Sequence, residues 1–158
     1  MTKEQIQEFT LRTSQSNHSG LILVLFDIIR VYMEDALNAY AQNDVDTYFK
    51  NIECAKKAHN ELMDCINPLD EQGRKILTIL RFIYKKMIES SVKRIPQELD
   101  RCDKMMDNLR VCFERLHELD EEGPIMRNTH QVYAGLIYGK GVLNESVEGA
   151  YGNRGFTV

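Results

Sequence analysis

Apolar residues recur along this chain at steps of three and four, and short polar or breaker-rich stretches cut them into separate runs. The densest run is Gly20–Met33, "GLILVLFDIIRVYM", interrupted after its glycine only by Asp27 and Arg30. Helical spacing continues to about Gln42, and Ser16, Asn17 and Ser19 offer capping oxygens near Gly20. "QNDVD" ends this helix and supplies Asp44 or Asp46 to start a second. That helix carries Phe49, Ile52, Ala55, His59, Leu62 and Ile66 on one stripe. "NPLDEQG" breaks it at Asn67-Pro68. A third helix has Ile76, Leu80, Ile83, Met87 and Ser91, and stops before Pro96, which suits the first turn of the next. The fourth has Leu99, Cys102, Met106, Leu109, Phe113 and Leu116 and closes at "EEGP".

Two flanking pieces complete the pattern. Ile6 and Phe9 share a face of a short N-terminal helix. Past Gly123, "PIMRNTHQVYAGLIYGKGVLNESV" fits a fifth, shorter helix with Val132, Tyr133, Leu136 and Ile137 on one face, and "EGAYGNRGFTV" reads as a flexible tail. Four long helices with short connections make neighbours antiparallel. The expected architecture is all-α: an antiparallel up-down four-helix bundle over residues 1–123, with a short N-terminal helix, and a C-terminal helical extension and tail over 124–158.

The first long helix has more apolar surface than a bundle requires. At 100° per residue, Ile28, Leu21, Ala39, Tyr32, Leu25, Ala36, Ile29, Ile22, Tyr40, Met33, Phe26 and Leu37 fill an arc of about 180°, whereas a bundle helix needs about 100°. Asp27, Arg30, Glu34 and Asn38 gather opposite, where Asp27 is placed to pair with Arg30 at i+3. Leu23, Val24 and Val31 also fall toward that polar side. The third helix repeats the excess: Tyr84, Leu77, Ile88 and Ile95 stand beside its core stripe, and Phe82 sits among Lys85, Glu89 and Lys93. Two readings stand: a broad core with a few exposed apolar residues, or a groove for an amphipathic segment.

Composition changes this picture mainly by exclusion. The chain has 158 residues, ordinary hydrophobic content at 43 % and a net charge of −4, so no general field attracts nucleic acid or anionic lipid. Residues 21–122 contain a single glycine, Gly73, and two prolines, Pro68 and Pro96, as long helices demand. The apolar run is shorter than the roughly 20 residues of a membrane span and carries two charges. "MTKEQIQEFTLRTSQSN" lacks the features of a signal peptide, so a cytoplasmic protein without membrane insertion is expected. Cations cluster between Arg81 and Ile95, in the manner of a solvated helix face. Cys54, Cys65, Cys102 and Cys112 match no zinc or redox spacing and read as reduced core fillers.

No catalytic constellation is expected, nor a metal or cofactor. A di-metal bundle needs two Glu-x-x-His pairs; Glu114 and His117 supply one, but Lys56 occupies the matching position before His59. A histidine phosphotransfer domain needs an exposed histidine, whereas His59 lies on the apolar stripe of its helix and reads as a satisfied core residue.

"LRFIYKKMIESSVK", Leu80 to Lys93, resembles the signature of the flagellar secretion chaperones of the FliS family, aromatic-x-Tyr-(Arg/Lys)-(Arg/Lys)-Leu-x-x-Ala-Asn-x-Lys. Phe82, Tyr84, Lys85, Lys86, Met87, Glu89, Ser90, Ser91 and Lys93 take those places. Leu21 to Asp27 is similar to the family's first helix, "LILMLYDGAI", and "TSQSNHSG" to its Thr-Ala-Ser-Pro lead. "NAYAQNDVDTYFKNIECAKKAHNELMDCI" is similar to its helix–"GD"–helix turn. The similarity covers roughly residues 13–120. Ile28 stands where glycine is favoured, His18 where proline is usual, Phe9 near an expected tyrosine, and the C-terminal tail is longer.

The resemblance implies a non-enzymatic cytoplasmic chaperone. It would bind the disordered C-terminal segment of flagellin in apolar grooves, prevent premature polymerisation and deliver it to the flagellar export gate. The residues implied in flagellin binding are Ile22, Phe26, Ile29, Met33, Leu77, Tyr84, Lys85, Ile88 and Ser91, with Ile6 and Phe9 as an N-terminal cover of the groove. A homo-oligomer through the C-terminal extension, gating of the groove by that extension, and a non-chaperone homodimeric bundle are the remaining alternatives.

Overall fold

Each of the first four helices begins where a side chain supplies a cap. Thr2 and Gln5 form a reciprocal capping box at the start of α1 (Lys3–Gln15). Asn17 accepts from the Gly20 N–H at 2.9 Å to open α2 (His18–Ala41). Asp44 does the same for α3 (Val45–Asp64) and Asp70 for α4 (Glu71–Lys93). The computed structural model describes residues 1–123 and Ile125; the fifth helix and tail expected beyond Gly123 lie outside the described residues. α5 spans Leu99–Glu118, three residues short of the expected "EEGP" stop.

The α2–α3 turn uses Asn43 at φ 59°, in the left-handed region that asparagine tolerates, where the resembled motif has glycine. At the α4–α5 corner Arg94 and Glu98 are also left-handed, both with φ 54°. Pro96 therefore sits within the connection rather than in the first turn of α5, as the sequence pattern suggested. Glu98 holds the N-cap position without capping, because its carboxylate is taken by Lys86 at 2.7 Å and Arg101 at 3.3 Å.

α2 packs against α3 and α5, α3 against α4, and α4 against α5, closing a four-helix ring; α2 and α4 are diagonal. The ends confirm the alternation. His18 at the start of α2 lies 3.2 Å from the carbonyl of Cys65 after α3, and Ser19 lies 2.7 Å from His117 Nδ1 near the end of α5. Tyr48 at the start of α3 donates its hydroxyl to the carbonyl of Ser90 near the end of α4, at 3.3 Å. The core joins Phe26, Ile29 and Met33 of α2, Tyr48, Ile52 and Leu62 of α3, Leu80, Ile83 and Met87 of α4, and Cys102, Met106 and Phe113 of α5. The cysteines do not all fill it: Cys102 is buried, its thiol pushed up to about 11 by desolvation, but Cys112 is exposed on the outer side of α5.

Gly73 accounts for its own isolation. A Cβ there would stand 2.0 Å from the carbonyl oxygen of Asn67, backbone that has no freedom to retreat without reopening the α3–α4 connection. Gly73→Ala is expected to lower unfolding stability by about 1–3 kcal/mol in urea titration, against the usual gain from alanine in a helix. An unchanged or raised urea midpoint would show that the connection yields freely.

Candidate binding surface

The 180° arc of α2 divides in the folded chain. Ile22, Phe26, Ile29 and Met33 point into the bundle and are buried. Leu21, Leu25, Ile28 and Tyr32, on the outer part of the arc, are half-buried. Ile28 and Tyr32 face α1, whereas Leu25 packs against the core cluster, and α2 is the only helix among the described residues that the α1 backbone approaches. Phe9 is buried beneath α1, whereas Ile6 stays about half exposed. Phe9, Ile6, Thr10 and Thr13 of α1 and Ile28 and Tyr32 of α2 line an apolar cavity of about 440 Å³ between the two helices.

An ionic cluster fastens the other end of α1. Arg12 donates to Asp27 Oδ2 at 2.6 Å, and Arg110 of α5 donates to Asp27 Oδ1 at 2.8 Å. The Asp27 side chain is only 19 % exposed, and its bond to Arg110 raises the pKa of that guanidinium. Arg12 also lies 5.5 Å above the ring of Phe9. Asp27 thus does not pair with Arg30, as helical spacing suggested; Arg30 reaches Asp107 at 3.2 Å. Two arginines from neighbouring helices converge on Asp27, and an i+3 partner on its own helix cannot match that geometry.

Leu23 and Val24 also depart from the wheel: both are buried, although they fall on its polar side. The α1–α2 elbow and the chain after α5 cover them. Ile125 N–H donates to the Ser16 carbonyl at 3.0 Å, and Asn17 Nδ2 donates to the Glu122 carbonyl at 3.1 Å. Ser19 donates to Asp120 at 2.5 Å, which holds that carboxyl below its usual range. A cavity of about 520 Å³ with a polar rim remains there, its floor formed by Leu23 and Val24.

On α4 the residues implied in binding also separate. Leu77 and Ser91 are buried, Tyr84 is half-buried, Lys85 is exposed and Ile88 is 39 % exposed. With Val92, 77 % exposed, and Ile95, the last three continue an outward stripe. Because α2 and α4 are diagonal, the nine residues do not form one surface. Much of the α4 signature is absorbed by the fold. Lys86 joins Glu89 and Glu98, the Ser90 hydroxyl accepts from Gln97 N–H at 2.9 Å, and Ser91 donates to Glu53. Lys56 and Ser91 together keep the Glu53 carboxyl below its ordinary range.

His59 is buried as the stripe of α3 requires, which removes it as a phosphate carrier. It is not satisfied, however: neither ring nitrogen has a hydrogen-bond partner among the described residues. Its ring meets Tyr84 edge-on, with centroids 5.8 Å apart, and desolvation lowers its pKa to about 4.

Arg12 and Arg110 were not singled out from the sequence. Arg12 carries a weak signal, one helical turn beyond Phe9; Arg110 carries none, because only the α2–α5 pairing brings it to Asp27. Among the described residues no helix is long and apolar enough to cross a membrane. No curated protein and no solved structure matches the chain. The family model "FliS: Flagellar protein FliS" matches residues 2–134. An all-helical bundle carrying the α2 and α4 motifs, matched over that span, belongs to the FliS family of flagellar export chaperones, which are not enzymes.

Proposed function

We propose that this chaperone binds the disordered C-terminal segment of flagellin in the cytoplasm, keeps it from polymerising and delivers it to the flagellar export gate. In this reading α1 covers in cis the face of α2 that the client takes. The observation that carries it is the division of the α2 arc. Of its outer residues, Ile28 and Tyr32 line an apolar cavity beneath α1, which packs on α2 alone among the described helices. An amphipathic client helix satisfies the same face, and its ordering entropy offsets part of the burial, so release at the gate stays feasible.

Ile22, Phe26, Ile29, Met33 and Leu77 act in this reading as the floor beneath the groove, since they are held in the core. Tyr84, Lys85 and Ile88 offer a second, separate point of attachment on α4.

Calorimetric titration of the full chain with the last segment of its flagellin, about 40 residues and so room for two average helices, tests the reading directly. Saturable one-to-one binding, competed by loss of α1 protection in hydrogen exchange, is the expected outcome. Absence of binding at tens of micromolar would defeat it in favour of a homodimeric bundle, for which sedimentation would show a dimer.

A further inference from the structure

The helix that occupies the groove in cis is also a mould of what fits there. α1 offers two features to α2: an apolar anchor, Phe9, and one turn later a cation, Arg12, on Asp27. When α1 leaves, Arg110 still holds Asp27 Oδ1 from α5, which keeps the carboxylate aimed at the groove. Oδ2, the oxygen that received Arg12, loses its partner. A purely apolar helix laid in the same place would cover this oxygen without pairing it, and an unpaired, covered acceptor costs its full desolvation. A helix with Lys or Arg at the matching position restores a charge-assisted bond.

We infer that Asp27, oriented by Arg110, selects groove occupants: it favours amphipathic helices bearing a basic residue three positions after their apolar anchor, and discriminates against apolar helices without one. This rests on the reading that a client takes the place of α1. It adds to that reading a residue that decides which segments are accepted, by a penalty on the wrong ones as well as a bond to the right ones.

The test uses the full-length chain carrying Phe9→Ala and Arg12→Ala, which loosens α1 without removing it, and two labelled peptides. One copies residues 2–16 of this chain; the other is identical except that glutamine replaces the arginine at the position of Arg12. Fluorescence anisotropy is expected to show about tenfold tighter binding of the arginine peptide, the size of one charge-assisted hydrogen bond in a partly covered site. The preference should vanish when Asp27→Asn, nearly isosteric, is added to the chain. It should also narrow between about 0.05 and 0.5 M salt, which reads the same bond without altering the chain.

Equal affinities for the two peptides, a preference that survives Asp27→Asn, or no binding of either peptide would each overturn the inference. Its failure is distinct from failure of the client reading. A flagellin segment that binds without displacing the arginine peptide defeats the latter and leaves charge selection by Asp27 intact.

Discussion

Acidification from pH 6.5 to 4 is expected to remove about 3 kcal/mol of folding stability through one side chain, His59. The sign follows from where the proton goes. In the unfolded chain the imidazole takes up a proton below its ordinary pKa of 6.5, whereas in the folded chain burial delays uptake to about 4. Across this window the unfolded state binds more protons, so stability rises with pH and falls on acidification. The contribution is fully present above pH 6.5 and lost as pH drops through the window. No carboxylate relieves the cost, because neither ring nitrogen has a hydrogen-bond partner among the described residues.

His59→Leu separates this effect from the other acid-titrating groups. Leucine fills a similar volume and leaves no buried nitrogen, so the variant is expected to be more stable at pH 7.5 by about 1–2 kcal/mol. By pH 5 its advantage should widen by about 2 kcal/mol, because the wild-type chain alone loses stability through imidazole protonation. Urea denaturation at both pH values measures it. Parallel profiles for the two proteins would show that His59 titrates alike in both states. The paired carboxyls of Glu53, Glu98 and Asp120, all held below their ordinary range, lose their contributions at lower pH and do so equally in both proteins.

Phe9→Ala is expected to tighten flagellin binding. The apparent affinity of a covered site is its intrinsic affinity scaled by the open fraction, so weakening the cover raises it until the cover is mostly open. Phe9 is the buried anchor of α1, and truncating it removes about 2 kcal/mol from closure, less than for a phenylalanine in a bundle core because the site lies at the rim of the fold. The gain in affinity then reaches about thirtyfold. Unfolding of the bundle should move little, since α1 packs on α2 alone among the described helices, while amide exchange in residues 3–15 accelerates. Weaker binding by this variant would place Phe9 in the client surface instead of the cover.

How much of this was legible depended on distance along the chain. Helical spacing marked α2 to α5 closely, and Asn17 and Asp44 were readable as caps because an N-cap needs only a short polar side chain beside the first turn. The surplus arc of α2 was equally visible, for it depends on period alone. Its occupant was not: the wheel sets Ile28 and Ile29 about 100° apart on the same apolar arc but does not say that the first faces α1 and the second the core. The resemblance carried the family, and the structure adds that part of its α4 signature serves the fold: Lys86, Ser90 and Ser91 build the α3–α4–α5 corner.

Sequence alone determined the helices, their limits to within a few residues, the bundle class and the excess of apolar surface on α2, since each follows from interactions among residues at most a few positions apart. Only the tertiary structure decided that Asp27 pairs with Arg12 and Arg110 rather than Arg30. It also decided that Leu23 and Val24 are buried on a nominally polar side, and that His59 is enclosed without a partner. Each depends on which side chains the neighbouring helices bring to one point, and a helical period records the face of a residue but not what is packed against it.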